Sequence, residues 1–546
     1  MWFRNILFLG ICGLLLSTVA ASLLIPEMPL QVSGHNPVAF QQPEFRGIVE
    51  KIDAQFQTTW EDEKLEPAPI ADDLQIARRL SLGLTGKIPS VEDIRLIEKQ
   101  PESQRIQWWI SKLFEDRRYA DFVAERLARA YVGTENGPFL VYRGRRFKLW
   151  LSDQLYDNRP YDELVQDLIA ERGIWTDEPA VNFITASMGK EEGENQPDPV
   201  KLAARVTRAF LGTRMDCVEC HDDNLGGDLL QSDFHEMASF FRGTENSFTG
   251  ITDNQKKDYN YKYLYAEEEV VVPSMVPFNK ELLQEQGTER ERLANWVTHP
   301  ENRPFARAIV NRIWAIMTSR PLVEPVDSIP IDGTYEDGTF PPGLDLLADD
   351  FIEHDFDVQR LIRVIAETTA FQTDSQADHE ITAAHEQHWA AFPVTRLRPE
   401  QVVGSVIQSA SLQALDTDSH IIAKLMAFGQ QQDFIKRYGD SGEDEFAIQG
   451  GTIPQRLLMM NGKLVKERTS NNPLFNAASR IAMFSPDDET AIETAFLATL
   501  TRRPTTEETA YFINRLENAD ESVSRTDQFE DIYWSLLNCT EFAWNH

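Results

Sequence analysis

Met215-Asp216-Cys217-Val218-Glu219-Cys220-His221-Asp222-Asp223 is the stretch from which the rest of this chain is read. Its centre, Cys-x-x-Cys-His, is the attachment signature of c-type haem. On a helical turn, residues three and four apart share a face, so both sulfurs and the imidazole can point at one porphyrin. The expected chemistry is thioethers from Cys217 and Cys220 to the haem vinyl groups, with His221 as the proximal iron ligand and one covalent haem c per chain. The spacing also makes the local fold helical. Upstream, Val200 to Leu211 carries apolar residues at amphipathic-helix spacing. Downstream, Ser232-Asp233-Phe234-His235-Glu236-Met237 begins another helix.

The pentapeptide uses two of only four cysteines; Cys12 and Cys539 sit alone near opposite ends of the chain. Other readings of the pair are a local Cys217–Cys220 disulfide, a redox dithiol, or half of a zinc site. Zinc would need a further ligand from a remote His or from Asp222 or Asp223, and no second Cys-x-x-Cys exists. A thioredoxin-like dithiol would follow a strand, whereas Cys217 follows a helical pattern. A sixth iron ligand is sought at His235 or Met237, the nearest candidates in sequence, with Met215 and Met188 behind them. For each of these, a packed side chain is the competing role. A Met ligand suits electron transfer, and an open position suits a small molecule.

A chain of 546 residues has material for two to four domains. A net charge of -34 and a pI near 4.7 exclude a nucleic-acid-binding surface, which needs clustered Lys and Arg. With 42% hydrophobic residues the chain is globular rather than disordered.

Arg4 followed by the apolar run Ile6 to Ile25 reads as a signal peptide or membrane anchor over residues 1–25, with small residues at Thr18, Ala20 and Ala21 for cleavage. The bulk of the chain is therefore expected to be exported, periplasmic or at the cell surface, with membrane contact through residues 6–25 only. Export also permits a disulfide. Residues 26–69, with one helical run from Phe45 to Trp60, read as a spacer. The expected fold is mostly α. A helical domain at 70–243 carries the motif, and a β-containing linker at 244–280 is signalled by Thr249-Gly250, Asp253-Asn254 and the Tyr- and Val-rich run Tyr261 to Val272. A second helical domain at 281–546 completes the chain.

Local signals fill this frame. Ser90-Val91-Glu92-Asp93 reads as a capping box, and Trp108 and Trp109 as core. Asn158-Arg159-Pro160 and Asn302-Arg303-Pro304 read as helix starts, with Asn as cap and Pro in the first turn. The one basic cluster, Val141 to Lys148, is either a solvated helix start or a cradle for haem propionates. Asp327 to Gly338, with Asp332, Glu336 and Asp337, and Asp440 to Glu445 read as solvated acidic loops; the former lacks the full ligand order of a calcium loop. No Gly-x-Ser-x-Gly, P-loop or His-Glu-x-x-His is present, which removes the easily recognised hydrolase and nucleotide-binding classes.

Arg78 to Pro89, Asn158 to Asp162, Cys217 to His221 and Ala238-Ser239-Phe240-Phe241 resemble the planctomycete cytochrome-type family catalogued as domain of unknown function 1549. Asn302 to Arg307, Val310 to Trp314, Leu322 to Pro325, Arg396 to Gln401, Met459 to Gly462 and Arg502-Arg503-Pro504 resemble its usual companion, domain 1553. The resemblance implies an exported protein of planctomycetes or related bacteria, often encoded beside a second exported family. Cys217, Cys220, His221 and Asp222 match the motif. The family commonly continues with His, Pro and Phe, where this chain has Asp223, Asn224 and Leu225.

The leading expectation is an exported c-type haem protein acting in electron transfer or as the haem module of an oxidoreductase, with an unknown redox partner or exported companion. The alternative is a non-catalytic exported binding or scaffold protein with a disulfide or metal at Cys217 and Cys220. A third reading, a hydrolase or lyase on exported polysaccharide, rests on acidic residues alone.

Overall fold

The computed structural model describes residues 35–133, 144–189, 196–222, 229–263, 266–335, 338–413, 434–435, 437–438, 446, 451–470, 476–520 and 522–546. The protein is mostly helical with small two-stranded sheets. The first half contributes α1 (Pro43–Asp62), α2 (Asp73–Thr85), α3 (Val91–Glu98), α4 (Arg105–Glu115), α5 (Arg117–Val132), α6 (Gly144–Tyr156), α7 (Tyr161–Ala170), α8 (Pro199–Phe210) and α9 (Gln231–Ser239). Beyond the strands come α10 (Glu289–Val297), α11 (Arg303–Thr318), α12 (Leu344–Glu353) and α13 (Val358–Glu367). The last group is α14 (Pro399–Ser409), α15 (Ile453–Asn461), α16 (Lys463–Thr469), α17 (Ala477–Phe484), α18 (Asp488–Leu500), α19 (Thr506–Glu517) and α20 (Arg525–Leu537).

Helix starts follow local side-chain chemistry. Ser90 and Asp93 form the expected capping box on α3. Asp198 accepts from the backbone of Val200 and Lys201 at the start of α8, with Pro199 in the first turn. The two Asn-Arg-Pro sequences work otherwise than as caps. Asn158 takes a left-handed conformation and donates to Asp357. Asn302 donates back to the carbonyls of Trp296 and Val297, closing the end of α10 rather than opening α11. In each case an acceptor outside the first turn takes the amide: a distant carboxylate for Asn158 and the end of the preceding helix for Asn302.

Two apolar cores organise these helices. The larger runs from Phe40 to Phe392 and includes Trp108 and Trp109; the smaller joins Leu74, Leu82, Ile88, Val91 and Ile94 to residues between Leu397 and Phe542. The division in packing therefore falls elsewhere than the β-rich segment at 244–280. Helix α2 belongs to both cores, with Ile76, Ala77, Leu80 and Leu84 facing the larger and Leu74 and Leu82 the smaller. Its Arg78 and Arg79 are sealed between them. Arg78 donates to Thr499, Thr501 and Phe542, and Arg79 to the carbonyls of Phe371, Thr373 and His546. Burial lowers their pKa values to about 10 and about 9.

Helix α1 lies within the stretch read as a spacer, yet it is part of the body. Phe45, Ile52, Phe56 and Trp60 are buried, Phe56 stacks on Trp314 at 6.0 Å, and Trp60 donates to the His388 carbonyl. Four large apolar residues on one face of a helix are stable only when covered.

Among the described residues, three antiparallel pairs make the sheets: β1 (Thr244–Ser247) with β2 (Gly250–Asp253), β3 (Asn260–Tyr261) with β4 (Val270–Val271), and β5 (Thr395–Arg396) with β6 (Trp544–Asn545). Gly250, at φ +94°, lets the hairpin lie against Gly173, whose carbonyl a Cβ would meet at 2.0 Å. Among the described residues no helix is long and apolar enough to cross a membrane. Residues 6–25, Val141 to Arg143, Glu336, Asp337 and Asp440 to Glu445 lie outside the described residues.

Candidate functional site

The motif occupies a short 3-10 turn, Asp216–Glu219, between α8 and α9. In this tighter helix residues three apart eclipse. Met215 and Val218 accordingly point inward and are buried, while Cys217 and Cys220 share the opposite, exposed side as free thiols. His221 follows, also exposed, with Nδ1 2.8 Å from the Asp222 carbonyl. A carbonyl only accepts, so Nδ1 carries the proton and Nε2 keeps the lone pair, the form an imidazole needs to ligate a metal.

The turn is held from beneath. The Glu219 carbonyl, directly before Cys220, accepts from Gln231 Nε2 and from His235 Nε2, each at 3.0 Å. His235 Nε2 therefore bears hydrogen, and Nδ1 accepts from the Tyr259 hydroxyl at 3.0 Å. Burial depresses the His235 pKa and favours this neutral ring. Asp222 accepts from the Gln231 backbone at 2.9 Å, tying the residue after His221 to the start of α9. Tyr261 stacks on His235 at 3.4 Å, and Tyr263 meets it edge-on at 5.9 Å. Burial and the negative potential of Cys220 and Glu219 push the Tyr261 phenol up.

On the upstream side, Asp327 joins Arg208 and Arg214. Those two guanidinium groups outweigh burial and hold its carboxyl below the ordinary range. Gly212, at φ +61°, turns the chain out of α8, and its carbonyl accepts from Ile329 at 2.7 Å. The acidic loop read as solvated is thus anchored at its first residue to the segment that leads into the motif.

Cys217, Cys220 and His221 are all exposed, on and directly after the 3-10 turn, with both thiols free. The two residues read as sixth ligands have other positions: His235 spends both ring nitrogens on Tyr259 and Glu219, and Met237 is fully enclosed in the larger core, as are Met215 and Met188. Their short distance in sequence to the motif reflects packing of α9 beneath it. Of the basic cluster, Lys148 pairs with Glu125. Among the described residues no three His, Cys, Asp or Glu are grouped to hold one metal ion. Thioether attachment needs no such convergence, because the sulfurs bond to the edge of the porphyrin rather than to its iron. Gln231 and Tyr259 were not singled out by sequence reasoning, and Tyr261 and Asp327 were read only as part of a β segment and an acidic loop. A signal existed in Tyr259-Asn260-Tyr261-Lys262-Tyr263, whose period of two puts three rings on one face.

These features define a class: a mostly helical protein that presents two thiols and an imidazole on one exposed, braced turn. Residues 51–246 match the family model described as PSCyt2, protein of unknown function (DUF1549), and residues 289–516 match PSD1, protein of unknown function (DUF1553). The chain thus resembles both families, matched in tandem along its two halves. No curated protein and no solved structure matches it.

Proposed function

We propose that the protein is an exported c-type haem protein, acting in electron transfer or as the haem module of an oxidoreductase, with one covalent haem per chain. The observation that carries this reading is the shared exposure of Cys217, Cys220 and His221 on one turn, with His221 Nδ1 committed to a backbone carbonyl. Cys217 and Cys220 would anchor the group and His221 Nε2 would ligate its iron. When bound, the group supplies one-electron chemistry. The chain's own residues orient the attachment points: His235 and Gln231 hold the Glu219 carbonyl, Asp222 is tied to α9, and Asp327 fixes the approach from α8. His235 and Met237 are otherwise engaged and would not serve as further ligands of the group.

Export belongs to the proposal. Arg4 and Ile6 to Ile25 would act as signal or anchor, with membrane contact confined to that segment and a redox partner or exported companion outside the membrane.

Expression in a host with haem-attachment machinery tests the reading. The expected product carries covalent haem by in-gel peroxidase staining, gains the mass of one haem, and shows a reduced-minus-oxidised haem spectrum with dithionite. A colourless product of unmodified mass would overturn it, and thiol titration with metal analysis would then examine the binding or scaffold alternative.

A further inference from the structure

Among the described residues, each deeply buried arginine has at least one hydrogen-bond or ion-pair partner, with one exception. Arg78 and Arg79 have their carbonyl and hydroxyl acceptors, Arg126 pairs with Glu400, and Arg290 pairs with Asp253 and the carbonyls of Ile169 and Glu171. Arg312, on α11, retains 5% exposure, and its Nε is sealed without a partner. Among the described residues it makes no hydrogen bond and no ion pair. An uncompensated guanidinium at that depth is strongly unfavourable, so something outside the chain should complete it.

A second group beside it is incomplete in the same sense. The hydroxyls of Tyr131 and Tyr161, both fully buried, lie 2.7 Å apart and bond to each other. That bond uses one phenolic proton and leaves the other without an acceptor among the described residues. Tyr161 stacks on Phe305 at 5.3 Å, and Arg312 lies seven residues further along α11 on the same face. Tyr131 packs on Phe210 at 5.0 Å. Burial raises both phenols while the positive field of Arg312 opposes the shift, in keeping with a guanidinium close to both hydroxyls.

We propose that Arg312 and the Tyr131–Tyr161 pair form a binding site for a small carboxylate, separate from the Cys217–His221 turn and independent of the haem reading. The guanidinium can only donate and one phenolic proton is unspent, so the ligand that completes both is an acceptor. One unbalanced positive charge calls for a monoanion; a phosphate dianion would leave a surplus negative charge in a poorly solvated site. A planar two-oxygen group matches the guanidinium fork and keeps a lone pair for the phenol. Tyr131 and Tyr161 fall in the stretch matched by the first family and Arg312 in that matched by the second, so the site exists only where the two are joined.

The test is isothermal titration of the full chain with sodium acetate at fixed ionic strength, with sodium phosphate and sodium chloride as comparisons, followed by thermal melts. Acetate should bind saturably and raise the melting temperature, with phosphate and chloride binding at least about tenfold more weakly. Arg312→Met should abolish the acetate heat. Tyr161→Phe, which keeps the ring on Phe305, should weaken binding about three- to tenfold, in line with loss of one hydrogen bond to a charged group. If Arg312→Met does not fold, Tyr161→Phe carries the test. No acetate heat in the wild type, equal binding of phosphate, or acetate binding unchanged in the variants would overturn the proposal.

Discussion

Arg79 and His221 both donate to backbone carbonyls, but they stand in opposite settings. Arg79 is sealed between the two cores, beneath the Phe392 ring at 3.8 Å, with three carbonyl partners drawn from distant parts of the chain. His221 stands in solvent with one bond to its neighbour's carbonyl. In the seam, hydrogen bonds offset the burial of charge and specify how the cores meet. At the turn they leave the reactive atoms outward and act on the backbone beneath. Stability and chemistry are thus assigned to different residues, and variants should separate them.

The largest stability effect is expected at the seam. Arg79→Met leaves three buried carbonyls without their donor and should cost on the order of 3–5 kcal/mol in urea denaturation. A loss under about 1 kcal/mol would mean that the seam does not hold the cores together.

Asp327→Asn should cost roughly 2 kcal/mol, between the exposed and fully buried extremes for an ion pair. Its pH dependence has a definite sign. The folded carboxyl has a depressed pKa, so its contribution is complete above the ordinary Asp value of about 4 and is lost as pH falls through the lower folded value. The difference in stability between wild type and Asp327→Asn should therefore narrow below about pH 4, and acid titration of both proteins by circular dichroism reads it. A gap independent of pH would remove the ionic explanation.

His235→Phe keeps a buried ring on Tyr261 but frees the Glu219 carbonyl from one of its two donors. About 1–2 kcal/mol is expected from that loss, together with a several-fold faster reaction of Cys217 and Cys220 with a thiol reagent. Unchanged thiol kinetics would show that the brace does not control the turn.

The smallest stability effect belongs to the motif itself. Cys217→Ser with Cys220→Ser should change stability by less than about 0.5 kcal/mol, as exposed substitutions do, while removing covalent haem altogether in the attachment host. Stability loss and loss of attachment would then rank these sites in opposite orders.

Much of the local structure was legible before any coordinates. The helical pattern at Val200 to Leu211 and the Ser90 capping box both follow from spacing, because their causes lie within a turn or two of chain. Where the cause lay farther away, the local reading went elsewhere. Phe45 to Trp60 was recognisable as a helix, but its place in the core depends on Trp314, more than two hundred residues on. Asn158 carries capping chemistry, yet the carboxylate of Asp357, about two hundred residues on, claims its amide.

Sequence by itself determined the mostly helical class, the resemblance to two families in tandem and the Cys-x-x-Cys-His spacing, since each rests on residue type and short-range period. Tertiary structure alone decided that α2 serves both cores, that His235 braces the turn through both ring nitrogens, and that Arg312 is left beside two phenols without a partner. The reason is physical: burial and hydrogen-bond satisfaction depend on which distant groups arrive at a side chain, and no local pattern encodes that arrival.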